Sequence, residues 1–448
     1  LNKLVLSLLW ALALWITTGS LAVVSAEEYK FRLKLSKSVS IKPSSRIRVR
    51  IFPHTKNYKP HGRDTNMSQV KLISEANCRV YKGTSSYAGK SKQFLKETKS
   101  LALDANTMTH PLFIRCAKPV IVERAKNLTP FAYRGDVYAR VVNRSDAKTL
   151  ELINIVSLNE YLKGVVPSEV YSRWPMETLK TQAVAARTYA VFHLAFARRY
   201  IKRRLWDVDD TIAFQAYTGI SLNTKRTNLA VEETKGQILT HDGDVIQAYY
   251  HADSGGQTED AADVWDLEIP YVQGRKESFD FEVSDSAWRK TLNIRTVQSK
   301  LRRIGFLGRR EKLVDLTVPV AGRTDSGRVR VVTLKLDGEK TRNIEIGMFK
   351  RASGNLPSTL FAFEKDPANP KVLHIKGLGS GHGVGMSQQG AAILASDKGW
   401  SYDQILDYYY TDTTLCRLGK GDKDLPNCYS EAMRISRKNK PEVNANAS

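Results

Sequence analysis

Residues 377–390 read GLGSGHGVGMSQQG, with glycine at 377, 379, 381, 383 and 385 and His382 at the centre. Glycine permits positive φ, allows close approach of another chain and leaves N–H groups free to donate. A flexible linker would be Ser-rich and would not carry Val384, Met386 and the apolar AAILA that follows. A phosphate cradle needs Gly-Lys-Ser/Thr or the GxGxxG spacing, and neither occurs here. What remains is the wall of a binding cleft, in which His382, Gly383, Ser387 and Gln388 offer hydrogen bonds to a polar ligand.

A carboxylate acid is the second candidate. Glu169 lies in VVPSEV, between Val165, Val166 and Val170 and close behind Pro167, which favours extended geometry before it. Apolar surroundings raise a carboxyl pKa, and a protonated Glu can donate to a leaving oxygen. A solvated loop Glu is the plain alternative. Gln182 and Arg187 fall among small residues in a helical stretch, where a solvated face is the default for Arg187. Ser254 and Gly255, in HADSGGQTED, follow a strand and form either a ligand-facing turn or an ordinary one. Serine hydrolysis is set aside because no GxSxG elbow occurs. HExxH is absent and the eight histidines are scattered. His251 and His382 could meet in space, but two imidazoles make an incomplete zinc site. No metal or cofactor is expected.

The elements that must hold these residues are legible from periodicity. SRIRVRIF, CRVYKG, PLFIRC and PVIVER alternate apolar and polar residues, and strands continue through YARVVN and LELINIVSL. Ser157 and Glu160 form a capping-box pattern opening a short helix over EYLKG, with Gly164 as its stop. A longer helix is predicted over 175–199, with Pro175 in its first turn and Met176, Leu179, Ala183, Ala186 and Ala190 on one face. GQILTHDGDVIQ reads as a hairpin turning at Asp242-Gly243. Strands LVDLTVPV and RVRVVTLKL follow, then helices over SQQGAAILASDKG and YDQILDYYY.

Composition bounds the class. The chain has 448 residues, 42% hydrophobic and 9% aromatic, with a formal charge of +23. That suits buried cores and a polyanionic partner. Lys3, the largely apolar Leu4–Ile16 run and the small residues ending at Ala26 form a secretory signal pattern, with an uncleaved membrane anchor as the alternative. Export, and the lack of zinc-finger, RNP or helix-turn-helix signatures, argue against nucleic acid. Cys78, Cys116, Cys416 and Cys428 allow three pairings. The sequence-local pairing, 78 with 116 and 416 with 428, closes the shortest loops.

Together these stretches resemble the SpoIID domain family, which includes a sporulation lytic transglycosylase and the amidase-enhancer protein LytB. The matching pieces are SLNEYLKGVVPSEVYSRWPMETLKTQAVAARTYA, QAYTG with ETKGQIL, YYHADSGGQTEDAADVW with PYVQG, SGRVRVVTLKL, FKRASGNLPSTLFAFE and KGLGSGHGVGMSQQGAAILASDKGW. They occur in the family's order across roughly 130–415. The resemblance implies cleavage of the β-1,4 bond between N-acetylmuramic acid and N-acetylglucosamine in peptide-stripped glycan strands, leaving 1,6-anhydro ends. It implies Glu169 as the acid, with the glycine loop lining the glycan groove opposite it. If the enzyme were instead a hydrolase, Asp253 or Asp263 would be the second carboxylates to weigh. Some members hold a metal through Cys and His. No cysteine lies between 117 and 415 here, so that feature does not carry over. Ser380 stands where many members have Trp.

The expected architecture is α+β: a signal peptide (1–26), a β-rich N-terminal module (27–128), a mixed SpoIID-like catalytic domain (129–420) and a basic disordered tail (421–448). The expected partners are peptidoglycan glycan strands and, on the alternative reading as a non-catalytic wall-binding enhancer, a cell-wall amidase. The expected location is the periplasm or cell envelope, with membrane contact only through an uncleaved signal segment.

Overall fold

The computed structural model describes residues 41, 45–52, 67–84, 87–124, 128–143, 147–201, 203–277, 286–418 and 426–428. The signal segment expected over 1–26 lies outside the described residues, as does the expected tail apart from 426–428. The architecture is mixed α+β. It divides into two compact units, one from the described parts of 32–247 and 413–448, the other from 248–412. Among the described residues, no helix is long and apolar enough to cross a membrane.

The first unit is built on a nine-stranded sheet. Its strands are β1 (Arg46–Ile51), β2 (Gln69–Thr84), β3 (Tyr87–Asp104), β4 (Leu112–Cys116), β5 (Val120–Glu123), β6 (Phe131–Tyr133), β7 (Asp136–Asn143), β8 (Lys148–Ser157) and β9 (Val208–Asp209). The order is β6-β5-β2-β4-β7-β8-β1-β9, with β3 paired to β2. This single sheet takes strands from both sides of residue 128, where the sequence suggested a module boundary. Strand β8 is buried on both faces from Thr149 to Val156, its apolar residues interrupted by Glu151, paired with Arg140, and Asn154, which donates to the Arg134 carbonyl. Cys78 and Cys116, directly opposed on β2 and β4, are joined in a disulfide with Cα atoms 4.3 Å apart.

Two helices follow β8: α1 (Leu158–Glu169) and α2 (Met176–Tyr200). Ser157 caps α1, its side chain accepting from the Glu160 N–H at 3.3 Å. Gly164 does not end this helix, contrary to the expectation; the helix runs on to Glu169 with Pro167 inside it. Gly164 serves a contact instead. A Cβ there would overlap the Gly219 carbonyl oxygen and come within 2.6 Å of the Tyr217 ring. Gly164→Ala is therefore expected to cost about 1–3 kcal/mol by overpacking, read as a lower denaturant midpoint. An unchanged midpoint would show that the 217–219 segment yields freely.

Helix α2 begins just after Pro175 and is buried along most of its length. Helix α3 (Lys225–Glu233) packs with α1 and α2. A second, four-stranded sheet joins β10 (Gln237–His241) and β11 (Asp244–Val245) to two later strands of the chain, Thr414–Leu418 and Pro426–Cys428. The hairpin turns at Asp242 (φ 50°) and Gly243 (φ 81°) as expected. The register sets Cys416 opposite Cys428.

The second unit contains β12 (Tyr250–His251), α4 (Ala261–Trp265), β13 (Ala287–Asn293), α5 (Ile294–Arg303), β14 (Leu313–Thr317), β15 (Val331–Leu336), β16 (Thr341–Glu345), α6 (Ile346–Ser353), β17 (Phe361–Lys365), β18 (Val372–Leu378), β19 (Met386–Ser387), α7 (Gln388–Ser396) and α8 (Tyr402–Tyr409). Two antiparallel three-stranded sheets, β13-β18-β17 and β14-β15-β16, share a core with α5 and α6 through Val297, Leu301, Leu334, Phe349 and Ile375. Strands β12 and β19 pair in parallel. The strands Thr414–Leu418 and Pro426–Cys428 are β20 and β21.

Candidate active site

Glu169 closes α1, half-buried, and its Oε1 accepts the Ala216 N–H at 2.7 Å. Residues 215–219 are tied to the helices on both sides. The Tyr161 hydroxyl donates to Gln215 Oε1 at 3.2 Å, and Gln215 Nε2 donates to the Ala186 carbonyl at 3.2 Å. Ser168 Oγ donates to the Gly164 carbonyl at 2.7 Å and lies 2.9 Å from Thr218 Oγ1. These bonds fix the segment whose Ala216 N–H donates to the carboxyl group. Burial pushes the phenols of Tyr161 and Tyr189 above the ordinary tyrosine range, with Tyr217 and then Glu169 adding to the first and Asp209 and then Glu169 to the second. Both phenols, one on α1 and one on α2, thus lie within electrostatic reach of the acid. Residues Tyr161, Tyr189 and Gln215 carried no assigned role in the sequence reading. The QAYTG stretch was part of the resemblance, but nothing local showed that its backbone would meet Glu169.

Arg187 is neither on a solvated face nor presented to a ligand. It is 1% exposed. Its guanidinium donates to the carbonyls of Ala183, Val231 and Gln237 and to Thr234 Oγ1, at 3.0–3.4 Å. Burial lowers its pKa to about 9, so it stays charged at neutral pH. Gln182 is fully buried on the same helix.

In the second unit, the glycine loop folds back on residues 249–256. Gly379, Gly381, Gly383 and Gly385 all have positive φ, which non-glycine residues adopt at a cost. The close neighbours are the protein's own groups. A Cβ on Gly385 would overlap the Tyr249 carbonyl, and one on Gly383 would lie 2.6 Å from Arg328 Nε. The alternation thus serves packing of the loop against Asp253, His251, Arg328 and Tyr249.

His382 and His251 do meet, their ring centroids 5.6 Å apart. His382 also packs on Trp265 at 5.3 Å and Tyr249 at 6.3 Å, and its Nδ1 accepts the Val384 N–H at 3.1 Å. Among the described residues, no group of three or more His, Cys, Asp or Glu is arranged to hold a metal ion. Ser254 is fully buried, its hydroxyl donating to the Glu277 carboxylate and accepting the Gly256 N–H at 3.0 Å. Tyr409 donates to the other Glu277 oxygen at 2.6 Å. Beside Ser254, Gly255 donates its N–H to Asp253 Oδ1 at 2.8 Å. Ser387 caps α7 by accepting the Gly390 N–H at 3.0 Å, and Gln388 is buried next to it. Of the loop residues proposed to contact ligand, Ser254 and Ser387 therefore have their hydroxyls engaged within the fold. Arg328, 1% exposed, braces the loop from below through the Gln257 carbonyl at 3.2 Å and Glu259 at 3.8 Å.

Burial, then the charges of Arg328 and Lys350, hold His382 down to about 4; burial likewise lowers His251. A neutral histidine that must take up a proton on unfolding makes stability depend on pH. Its contribution is complete above the unfolded value of 6.5 and is lost as pH falls from there towards 4. His382→Gln should therefore flatten the fall of Tm between pH 6.5 and 4, measured by calorimetry across that range. An unchanged slope would remove His382 as a source of the acid sensitivity.

A half-buried carboxyl group at a helix end, oriented by the Ala216 N–H in an α+β fold, defines a candidate acid–base site. Residues 146–241 match the family described as SpoIID: Stage II sporulation protein, and 268–385 match a domain of unknown function, DUF8618. Stage II sporulation protein D of Bacillus amyloliquefaciens is 32% identical, over 57% of this chain and 73% of its own. An uncharacterized protein of Brachyspira hyodysenteriae is 30% identical over 62% of this chain and 71% of its own. An amidase enhancer of Bacillus subtilis is 31% identical over 57% of this chain, which spans only 40% of that relative. The chain belongs to the SpoIID family.

Proposed function

We propose that this protein is an exported lytic transglycosylase acting on peptide-stripped peptidoglycan strands, with Glu169 as both acid and base. The observation that carries the reading is the placement of Glu169, half-buried at the end of α1 and oriented by the Ala216 N–H. Glu169 protonates the glycosidic oxygen between N-acetylmuramic acid and N-acetylglucosamine as the C1–O bond breaks. The carboxylate left behind then takes the proton of the muramic 6-hydroxyl while that oxygen bonds to C1. The proton returns to Glu169, no water is added and a 1,6-anhydro end results. One carboxyl group suffices for this route, whereas a hydrolase needs a second at a set distance.

The acids weighed as partners are both engaged elsewhere. Asp253 accepts from Ser286 at 2.5 Å and from Gly255 at 2.8 Å, and Asp263 pairs with Arg330 at 3.2 Å. A formal charge of +23 favours encounter with an anionic wall polymer at low salt. The kinship to an amidase enhancer supports a second reading, in which the protein binds the wall and stimulates an amidase without cleaving glycan. Mass spectrometry of peptide-stripped strands after incubation separates the two. Anhydro ends support the transglycosylase, reducing ends mean hydrolysis, and intact but bound strands favour the enhancer.

A further inference from the structure

The residues just beyond Glu169 form a short loop that the acid chemistry does not use. Val170 is buried as the cap of α1, and the chain then presents Tyr171, Ser172, Arg173 and Trp174 before α2 begins. Tyr171 is 63% exposed, an unusual position for a large aromatic side chain two residues from a candidate acid. The edge of its ring meets Trp174 at 5.4 Å between centroids, and the Arg173 guanidinium stands over it at 5.1 Å. Arg173 is itself exposed.

This loop is held rigid. Arg226, at the start of α3, donates from Nε to the Ser172 carbonyl at 3.1 Å and from Nη2 to the Trp174 carbonyl at 2.8 Å. The Trp174 N–H closes the turn on the Tyr171 carbonyl at 3.0 Å. A braced loop offers an aromatic face at little ordering cost, because the ring has few torsions left to fix.

We propose that Tyr171 and Arg173 form a saccharide subsite next to Glu169, in which Tyr171 stacks on an N-acetyl sugar ring and Arg173 takes a free lactyl carboxylate. The proposal rests on reading Glu169 as the acid of a glycan-cleaving enzyme. An aromatic face suits the C–H face of a pyranose, and a planar guanidinium binds a carboxylate through two parallel hydrogen bonds. Only a muramic acid residue without its stem peptide carries that carboxylate; an amide in its place offers no charge. The same two side chains would then favour peptide-free strands over peptide-bearing ones.

The test measures binding in the Glu169→Gln protein, so that it does not depend on turnover. Titration with soluble peptide-free strands is followed by calorimetry and by Trp fluorescence. Tyr171→Ala should weaken binding about tenfold while Tyr171→Phe stays within about twofold. Arg173→Gln should weaken binding of peptide-free strands and leave peptide-bearing strands unchanged. Unaltered affinity in Tyr171→Ala, or equal losses on both strand types in Arg173→Gln, overturns the subsite, as does failure of the parent protein to bind. Strands that bind through Tyr171 but are never cut by the unmutated protein would sink the acid assignment and leave the subsite standing.

Discussion

Glu169→Gln should lower the rate of glycan cleavage by about a thousandfold or more, since the amide can neither give nor take the proton that both half-reactions require. The side chains are nearly the same size, and the Gln carbonyl oxygen can still accept the Ala216 N–H that holds Oε1 at 2.7 Å. The melting temperature should therefore stay close to that of the unmutated protein, and strand binding should persist. Release of anhydro products from peptide-stripped strands, followed by mass spectrometry beside a thermal melt, measures both at once. Retained turnover would end the assignment of Glu169. Lost turnover with a collapsed melt would show only that the α1 end needs the carboxylate for folding.

Arg187→Met should destabilise the first unit by about 3–5 kcal/mol, because it strips several buried acceptors of their donor and leaves nothing polar in its place. The carbonyls of Ala183, Val231 and Gln237 and the Thr234 hydroxyl converge on one guanidinium. Lysine cannot reach this set of acceptors from one point charge, so Arg187→Lys should recover little. Denaturant unfolding of the purified protein reads the effect. A normal midpoint combined with weakened glycan binding would instead return Arg187 to the ligand, as the sequence alone allowed.

These two residues mark what local sequence can and cannot convey. Arg187 lies in a helical stretch with clear periodicity, and α2 was placed within a residue at each end, whereas Glu169 was expected beyond the end of its helix. Their roles depend on what packs against them. Glu169 meets the Ala216 N–H, and Arg187 meets the end of α3 and the start of β10, all some 44–50 positions further along. Periodicity reports which face of an element is apolar. It does not report which distant backbone supplies a donor. Gly164 shows the same limit: a glycine near a helix end has the signature of a stop, yet here it admits a neighbouring segment while the helix continues through Pro167.

By itself the sequence determined many of the strands, the long helix α2, the Ser157 cap, the Asp242-Gly243 hairpin and the motifs that mark the family, but not the helices α3, α5 and α6. The features it determined depend on residues within a few positions of each other, where side-chain type and backbone preference act directly. Tertiary structure alone decided that a single sheet runs across residue 128, that Ser254 and Ser387 turn their hydroxyls inward, and that the alternating glycines clear room for Arg328 and Tyr249. The reason is steric and electrostatic. A polar group's role is set by the partner that reaches it, and that partner is chosen by the packing of segments far apart in the chain.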